Sequence, residues 1–355
     1  MRTEHRYLFH DARDLTGVPA ASVDLVVTSP PYPMIAMWDD LFGGLSDKVR
    51  GALDREDGPA AFAAMHAQLD PVWRGLYRAL KPGGLACVNI GDATRTIGGD
   101  FRLYPNHARI LNAALKIGFT VLPAVLWRKQ TNAPNKFMGS GMLPAGAYVT
   151  LEHEYVLVLR KGSKREFRTP EDKARRRASA LFWEERNVWF SDVWMDLKGA
   201  RQNGLNPDVR KRSGAFPFDL AFRLVSMFSI QGDTVLDPFL GTGTTLVAAL
   251  AAGRNSVGLE IDPGFGPVLE NRVRDAAAWA GRCQEDRLKN HREFVRQREK
   301  AGKPCRHVNV PYGFPVVTRQ ETELYLNLLT AVDQTGAQTF QGIYDAHHVS
   351  EMRLF

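Results

Sequence analysis

Residues 234–261, TVLDPFLGTGTTLVAALAAGRNSVGLEI, decide the fold. Thr234–Leu236 reads as a short strand running into the turn Asp237-Pro238-Phe239-Leu240-Gly241-Thr242-Gly243-Thr244-Thr245. An apolar helix over 245–252 and a second strand over 256–261 follow. Glycines in such a turn let the backbone approach a ligand and let helix pack on strand. The free N–H groups at the helix start favour an anionic group such as a carboxylate. The turn lacks the third glycine of a dinucleotide fingerprint and the G-K-[ST] of a phosphate loop. Glu260, about 20 residues on, is placed to accept hydrogen bonds from ribose hydroxyls. Together these residues point to a nucleoside-containing cofactor.

Working outward, strands alternate with helices. Residues 7–9 and 23–27 read as strands, the first followed by Asp11 and the second stopping at Ser29-Pro30-Pro31. Phe62, Met65, Leu69, Val72, Leu76 and Leu80 step by three and four, one face of a helix that Lys81-Pro82-Gly83-Gly84 ends. A strand over 85–90, a helix over 108–116, and strands over 120–127 and 154–159 come next, the last two separated by a Gly/Pro/Asn-rich loop. The pattern dissolves between about 162 and 214, then a helix over 220–230 leads into the opening stretch. Strands joined by helical crossovers imply an α/β fold with a mostly parallel sheet and helices on both faces. Residues 264–303 read as a long charged helix, and 304–355 carry no clear pattern.

Thr28-Ser29-Pro30-Pro31-Tyr32 is the second informative motif. Two prolines at a strand end fix φ twice and remove two donors, which pre-sets a rigid turn. The Pro30 carbonyl is thereby free to face a ligand. Ser29 adds a short hydroxyl and Tyr32 a flat aromatic face.

The 355 residues carry 46 Lys and Arg against 39 Asp and Glu, a formal net charge of +7. Residues 160–212 hold fifteen basic against eight acidic side chains, and 272–303 ten against five, so the remainder is slightly acidic. Two confined basic segments suggest a polyanionic partner. No run of about 18 apolar residues is present, which excludes a membrane-spanning helix, and the charged start lacks a signal core. Cys87, Cys283 and Cys305 are far apart, so neither a disulfide framework nor a zinc ribbon is expected. A cytoplasmic protein is the reading that follows.

The two motifs together resemble those of the DNA amino-methyltransferases, enzymes that methylate exocyclic nitrogens with S-adenosylmethionine. T-S-P-P-Y is similar to their catalytic motif and D-P-F-L-G-T-G-T-T to their cofactor motif. The catalytic motif comes first here, the order of the β class. Further similarities are L-K-P-G-G at 80–84, L-W-R-K at 126–129, H-E-Y-V-L-V at 153–158 and A-F-P at 215–217, whereas Ser213 stands where many members have histidine. The resemblance covers about 5–275. It implies a Rossmann-like methyltransferase sheet divided into a catalytic half (1–162), an inserted target-recognition region (163–213) and a cofactor half (214–275), with 276–355 an extension of unknown role.

The same resemblance implies roles for single residues. Ser29, Pro30, Pro31 and Tyr32 would hold the target amino group and stack the flipped base. Asp11, Thr28, Phe216, Asp237, Pro238, Phe239, Gly241, Thr242, Gly243, Thr244, Thr245 and Glu260 would bind the cofactor, with no metal required. Arg175, Arg176, Arg177, Arg210, Lys211 and Arg212 would contact phosphates. The implied partner is double-stranded DNA, and a homodimer and a cognate restriction endonuclease are compatible with it. Ser29, where adenine enzymes usually carry Asp or Asn, points to cytosine N4 rather than adenine N6. Methylation at cytosine C5 would need a thiolate. Pro304-Cys305 superficially fits, but that reading leaves Ser29–Tyr32 unexplained. The separate basic segment and the order of the motifs favour DNA over an RNA substrate. Two intact motifs count against a DNA-binding regulator that has lost catalysis.

Overall fold

The computed structural model of the protein describes residues 1–129, 138–199 and 214–345. One ten-stranded sheet organises it. Its centre is five parallel strands, β1 (Arg2–Phe9), β10 (Asn255–Glu260), β9 (Thr234–Asp237), β2 (Val23–Thr28) and β3 (Leu80–Ile90), in that spatial order. Beyond β3 come β7 (His153–Lys161) and β6 (Phe119–Arg128), paired antiparallel, and then the short β8 (Val193–Trp194) alongside β6. Beyond β1 lie β14 (Thr339–Asp345) and β13 (Leu328–Gly336), both antiparallel.

The central strands are apolar runs because both faces are covered. Leu25, Val27, Cys87, Val156, Val158 and Val235 face one core with the helices α7 (Phe218–Phe228), α8 (Thr244–Ala252) and the first half of α9 (Gly266–Lys300). Val26, Ala86, Val88, Leu157, Leu159 and Leu236 face the other, with α1 (Asp39–Leu45), α2 (Asp47–Asp54), α3 (Gly58–Ala79) and α4 (Asn106–Ile117). α3 carries the expected Met65, Leu69, Val72 and Leu76 stripe on its buried face. α4 ends where Gly118 takes a left-handed conformation, φ 108°.

Besides α1 and α2, three parts of the chain were not foreseen. A hairpin, β4 (Ala93–Ile97) and β5 (Asp100–Tyr104), turns through Gly98-Gly99. The basic segment contains α5 (Pro170–Ala178) and α6 (Trp183–Trp189). Residues after 303 build the small pair β11 (His307–Val308) and β12 (Pro315–Val316), then the two strands β13 and β14 that extend the main sheet. α6 is clamped to α9 by the Arg287–Glu185 ion pair, by the 2.8 Å contact between His291 Nδ1 and Glu184 Oε1, and by Trp183 stacking on Phe294. The carboxylate of Glu321 accepts from Trp183 N and Thr318, tying the C-terminal stretch to the same place. No described helix is long and apolar enough to cross a membrane.

Candidate active site

The carboxyl ends of β1, β2, β9 and β10 open into one cavity of about 710 Å³. Ligands of open α/β sheets bind at this edge. Both sequence motifs meet there. Ser29, Pro30, Pro31 and Tyr32 line it from the end of β2, and Asp237, Pro238, Phe239, Gly241, Thr242 and Thr244 from the end of β9. Asp11, Phe216 and Glu260 line it as well.

The two motifs are 209 positions apart but directly bonded: Thr28 Oγ1 donates to Asp237 Oδ1 at 2.6 Å. Thr245 Oγ1 donates to the Val27 carbonyl at 3.2 Å. These bonds exist because β2 and β9 are neighbours in the sheet. They also place Thr28 and Thr245 behind the wall, fully buried, and the structure does not bring them to the cavity surface. Gly243 is likewise behind it. With φ 82° it starts α8, and a Cβ there would lie 2.7 Å from Leu269.

Glu260 braces the glycine turn. Its Oε2 accepts from Gly241 N at 2.8 Å and its Oε1 from Asp262 N at 3.0 Å. A carboxylate offers about four lone-pair sites, so capacity remains for a ligand hydroxyl. Burial raises its pKa above the usual carboxylate range. Asp237 also accepts from Phe239 N at 3.0 Å, and burial pushes its pKa up to about 6. Thr242 is held by Arg272 of α9, at 2.6 Å from its hydroxyl. Asp11 is paired with Arg13 at 2.7 Å. Beside Glu260, Ile261 is 45% exposed, an apolar side chain uncovered at the cavity edge. Apolar walls with a few fixed carboxylates suit a nucleoside carrying an amino-acid tail.

Sequence reasoning missed other residues of the cavity. Trp38, Leu41 and Leu45, from the turn before α1 and from α1, form an apolar wall, and Arg13 and Gln68 lie beside Asp11. Lys129 and Glu154 line the cavity next to Tyr32. The last two fall within the L-W-R-K and H-E-Y stretches, which was the available signal.

The basic side chains divide. α5 packs at the opposite, amino-terminal edge of the sheet. Gln231 N, just before β9, donates to Ser179, and Arg165 pairs with Asp233 at 2.6 Å. Arg175 pairs with Asp172, Arg177 with Glu323, and Arg176 lies over the Phe167 ring. Four residue steps along β9, about 13 Å of strand, separate Asp233 at this edge from Asp237. The structure therefore does not bring Arg175, Arg176 and Arg177 to the cavity. Arg210, Lys211 and Arg212 lie outside the described residues. Gly214, which follows them, lines the cavity, and Gly199, which precedes that stretch, lies beside Lys129. Trp194 and Trp189 belong to the core beside β6, with Trp194 Nε1 donating to the Trp189 carbonyl.

A parallel sheet that brings these two motifs side by side at its carboxyl edge defines an S-adenosylmethionine-dependent methyltransferase. The chain belongs to the family of N6/N4 DNA methylases, whose model matches residues 23–270. It is 50% identical over 327 residues, covering 92% of this chain and 91% of the relative, to the type II methyltransferase M.MthZI of Methanothermobacter thermautotrophicus. It is 49% identical over 282 residues, 76% of this chain and 91% of the relative, to M.MjaI of Methanocaldococcus jannaschii. Among solved structures it resembles TTHA0409 of Thermus thermophilus, described as a candidate DNA modification methylase complexed with S-adenosyl-L-methionine. That match has a TM-score of 0.59 and 34% identity, covering 76% of this chain and 92% of that one.

Proposed function

We propose that the protein methylates the N4 amino group of a cytosine flipped out of double-stranded DNA. The observation that carries the choice of base is Ser29 at the head of the catalytic motif. Cytosine is smaller than adenine and presents a different ring edge beside its amino group. A short hydroxyl accepts from that group without placing charge or bulk beside the ring, as a carboxylate or amide would.

S-adenosylmethionine, when bound, would supply a methyl group on positively charged sulfur: attack by the amino nitrogen would form the N–C bond, the C–S electron pair would stay on sulfur, and the surplus proton on nitrogen would be released to water. Asp237 and the turn at 241–244 are the groups for its methionine end, and Glu260 for its ribose. The chain's own contribution is orientation and fixed dipoles. An exocyclic amine is conjugated with its ring and is a weak nucleophile. Acceptance of its two N–H groups by the Ser29 hydroxyl oxygen and the Pro30 carbonyl favours a tetrahedral nitrogen with its lone pair aimed at the methyl group. The Tyr32 ring offers a face for the flipped base. Arg210, Lys211 and Arg212, which precede cavity-lining Gly214 in the sequence, are the basic residues we assign to phosphate contact.

DNA methylated by the protein, digested to nucleosides and analysed by mass spectrometry, tests the reading. N4-methyl-2′-deoxycytidine is the expected product. N6-methyladenine would overturn the choice of base and leave the roles of Ser29–Tyr32 intact.

A further inference from the structure

Behind Ser29 lies a row of hydrogen bonds that the methyl-transfer chemistry does not by itself require. Ser29 Oγ is 3.1 Å from Tyr32 Oη, and Tyr32 Oη is 2.9 Å from Glu154 Oε2. Asn89 Nδ2 reaches both Tyr32 Oη, at 2.8 Å, and Glu154 Oε2, at 2.7 Å. Lys129 Nζ holds the other carboxylate oxygen at 2.8 Å. The Tyr32 ring is held edge-on against Gly91, where a Cβ would lie 3.0 Å from Cε2. β3 and β7 bring Asn89 and Glu154 together across the sheet, and β6 supplies the strand that leads to Lys129.

Chemistry fixes the direction of this row. An ionised carboxylate only accepts, so Tyr32 must donate to Glu154. The phenol has one hydrogen, so towards Ser29 it can only accept. Asn89 must turn its amide nitrogen to Glu154, and its Oδ1 is buried with no hydrogen-bond partner, a costly orientation. The Ser29 hydrogen is then committed to Tyr32, and its oxygen presents lone pairs alone to the cavity. Burial first, and then the Glu154 charge, hold the Tyr32 phenol well above its ordinary pKa, so its hydrogen is retained.

We propose that Glu154, held by Lys129 and Asn89, is a positioning residue that acts through Tyr32 to make Ser29 an obligate acceptor toward the amino group being methylated. The polarity matters because a hydroxyl free to turn would donate to the nitrogen lone pair, the electrons that attack the methyl group. This proposal rests on the amino-transfer reading of the cavity and assigns its polarity to a residue outside the catalytic motif.

The test is single-turnover methylation of unmodified genomic DNA, with cofactor and DNA affinities measured separately on the same proteins. Tyr32→Phe, which keeps the ring, and Glu154→Leu should each slow methyl transfer by about tenfold or more, with both affinities essentially unchanged. The double variant Tyr32→Phe/Glu154→Leu should be no slower than the slower single variant, because both remove one coupled device. Glu154→Gln should recover most of the rate, since its amide carbonyl still accepts from Tyr32. It also serves if Glu154→Leu does not fold. Multiplying penalties in the double variant, a Gln variant that transfers no faster than a folded Leu variant, or a loss confined to affinity would each overturn the proposal. Should the wild-type protein leave DNA amino groups unmethylated, the amino-transfer reading falls and the proposal with it. Wild-type methylation with additive penalties brings down the proposal alone.

Discussion

Glu260 combines a structural duty with a candidate binding duty, because its carboxylate braces Gly241 and Asp262 while lining the cavity. Glu260→Ala should weaken S-adenosylmethionine binding by about 1.5–3 kcal/mol, the value of hydrogen bonds to a charged group. Calorimetry on the folded variant checks it, and unchanged affinity would remove Glu260 from the site. Asp237 carries a different prediction. Its pKa is raised to about 6 by burial, so between about pH 4 and 6 the folded state holds a proton that the unfolded chain has released. Stability from this residue therefore falls as pH rises through that window and is flat above it. The penalty has an upper bound on the order of 3 kcal/mol. Asp237→Asn keeps an acceptor for Thr28 and Phe239 N, so it should flatten this slope while weakening cofactor binding. Urea unfolding at a series of pH values from 4 to 8 is the measurement, and an unaltered slope would show that Asp237 does not titrate there.

At the scale of elements, α5 separates composition from location. Its three consecutive arginines looked like a phosphate contact, yet the helix packs at the edge of the sheet remote from the cavity and two of the three are paired with acidic side chains. Neutralising all three should leave DNA affinity and its salt dependence nearly unchanged. Each phosphate contact truly lost would reduce the slope by roughly 0.9, which filter binding across salt concentrations would detect. What was legible follows from local physics. β2, β3, β7 and β9 were readable because burial on both faces makes their central residues mostly apolar. The turn at 237–245 was readable because a strand, two glycines and a helix occur in one short stretch. α1 and α2 are short and glycine-interrupted, and α5 and α6 are short and charged, so none shows a sustained apolar stripe. β13 is largely exposed and polar, with little to mark it as a strand. The Gly98-Gly99 hairpin signal was present and not read. In the site, Ser29–Tyr32 and Glu260 were legible because their own neighbours position them. Glu154, Asn89 and Lys129 were not, because strand pairing across the sheet brings them together.

Taken whole, the molecule extends its core past both motifs. Residues after 303 cover one edge of the sheet: β14 pairs with β1, Tyr344 donates to the Leu250 carbonyl at 2.6 Å, and Leu329 and Phe340 enter the core around α8. A chain ending at 303 retains every motif but should lose cooperative thermal unfolding and aggregate, because it bares the β1 edge and an apolar face. A soluble, cofactor-binding truncated protein would show that the last strands are dispensable. The same pairing bears on chain order. Tyr344 N donates to the Met1 carbonyl at 3.1 Å, so the first residue and the end of the described chain are neighbours. A short linker could join them, and new termini could open between β7 and α5, without breaking a strand pair. Such a circular permutant would be synthesised with Asp237–Thr245 ahead of Ser29–Tyr32, yet Thr28 would still meet Asp237. Which half of the site leaves the ribosome first should therefore not decide whether the two motifs meet, and a folded, cofactor-binding permutant is the expected outcome.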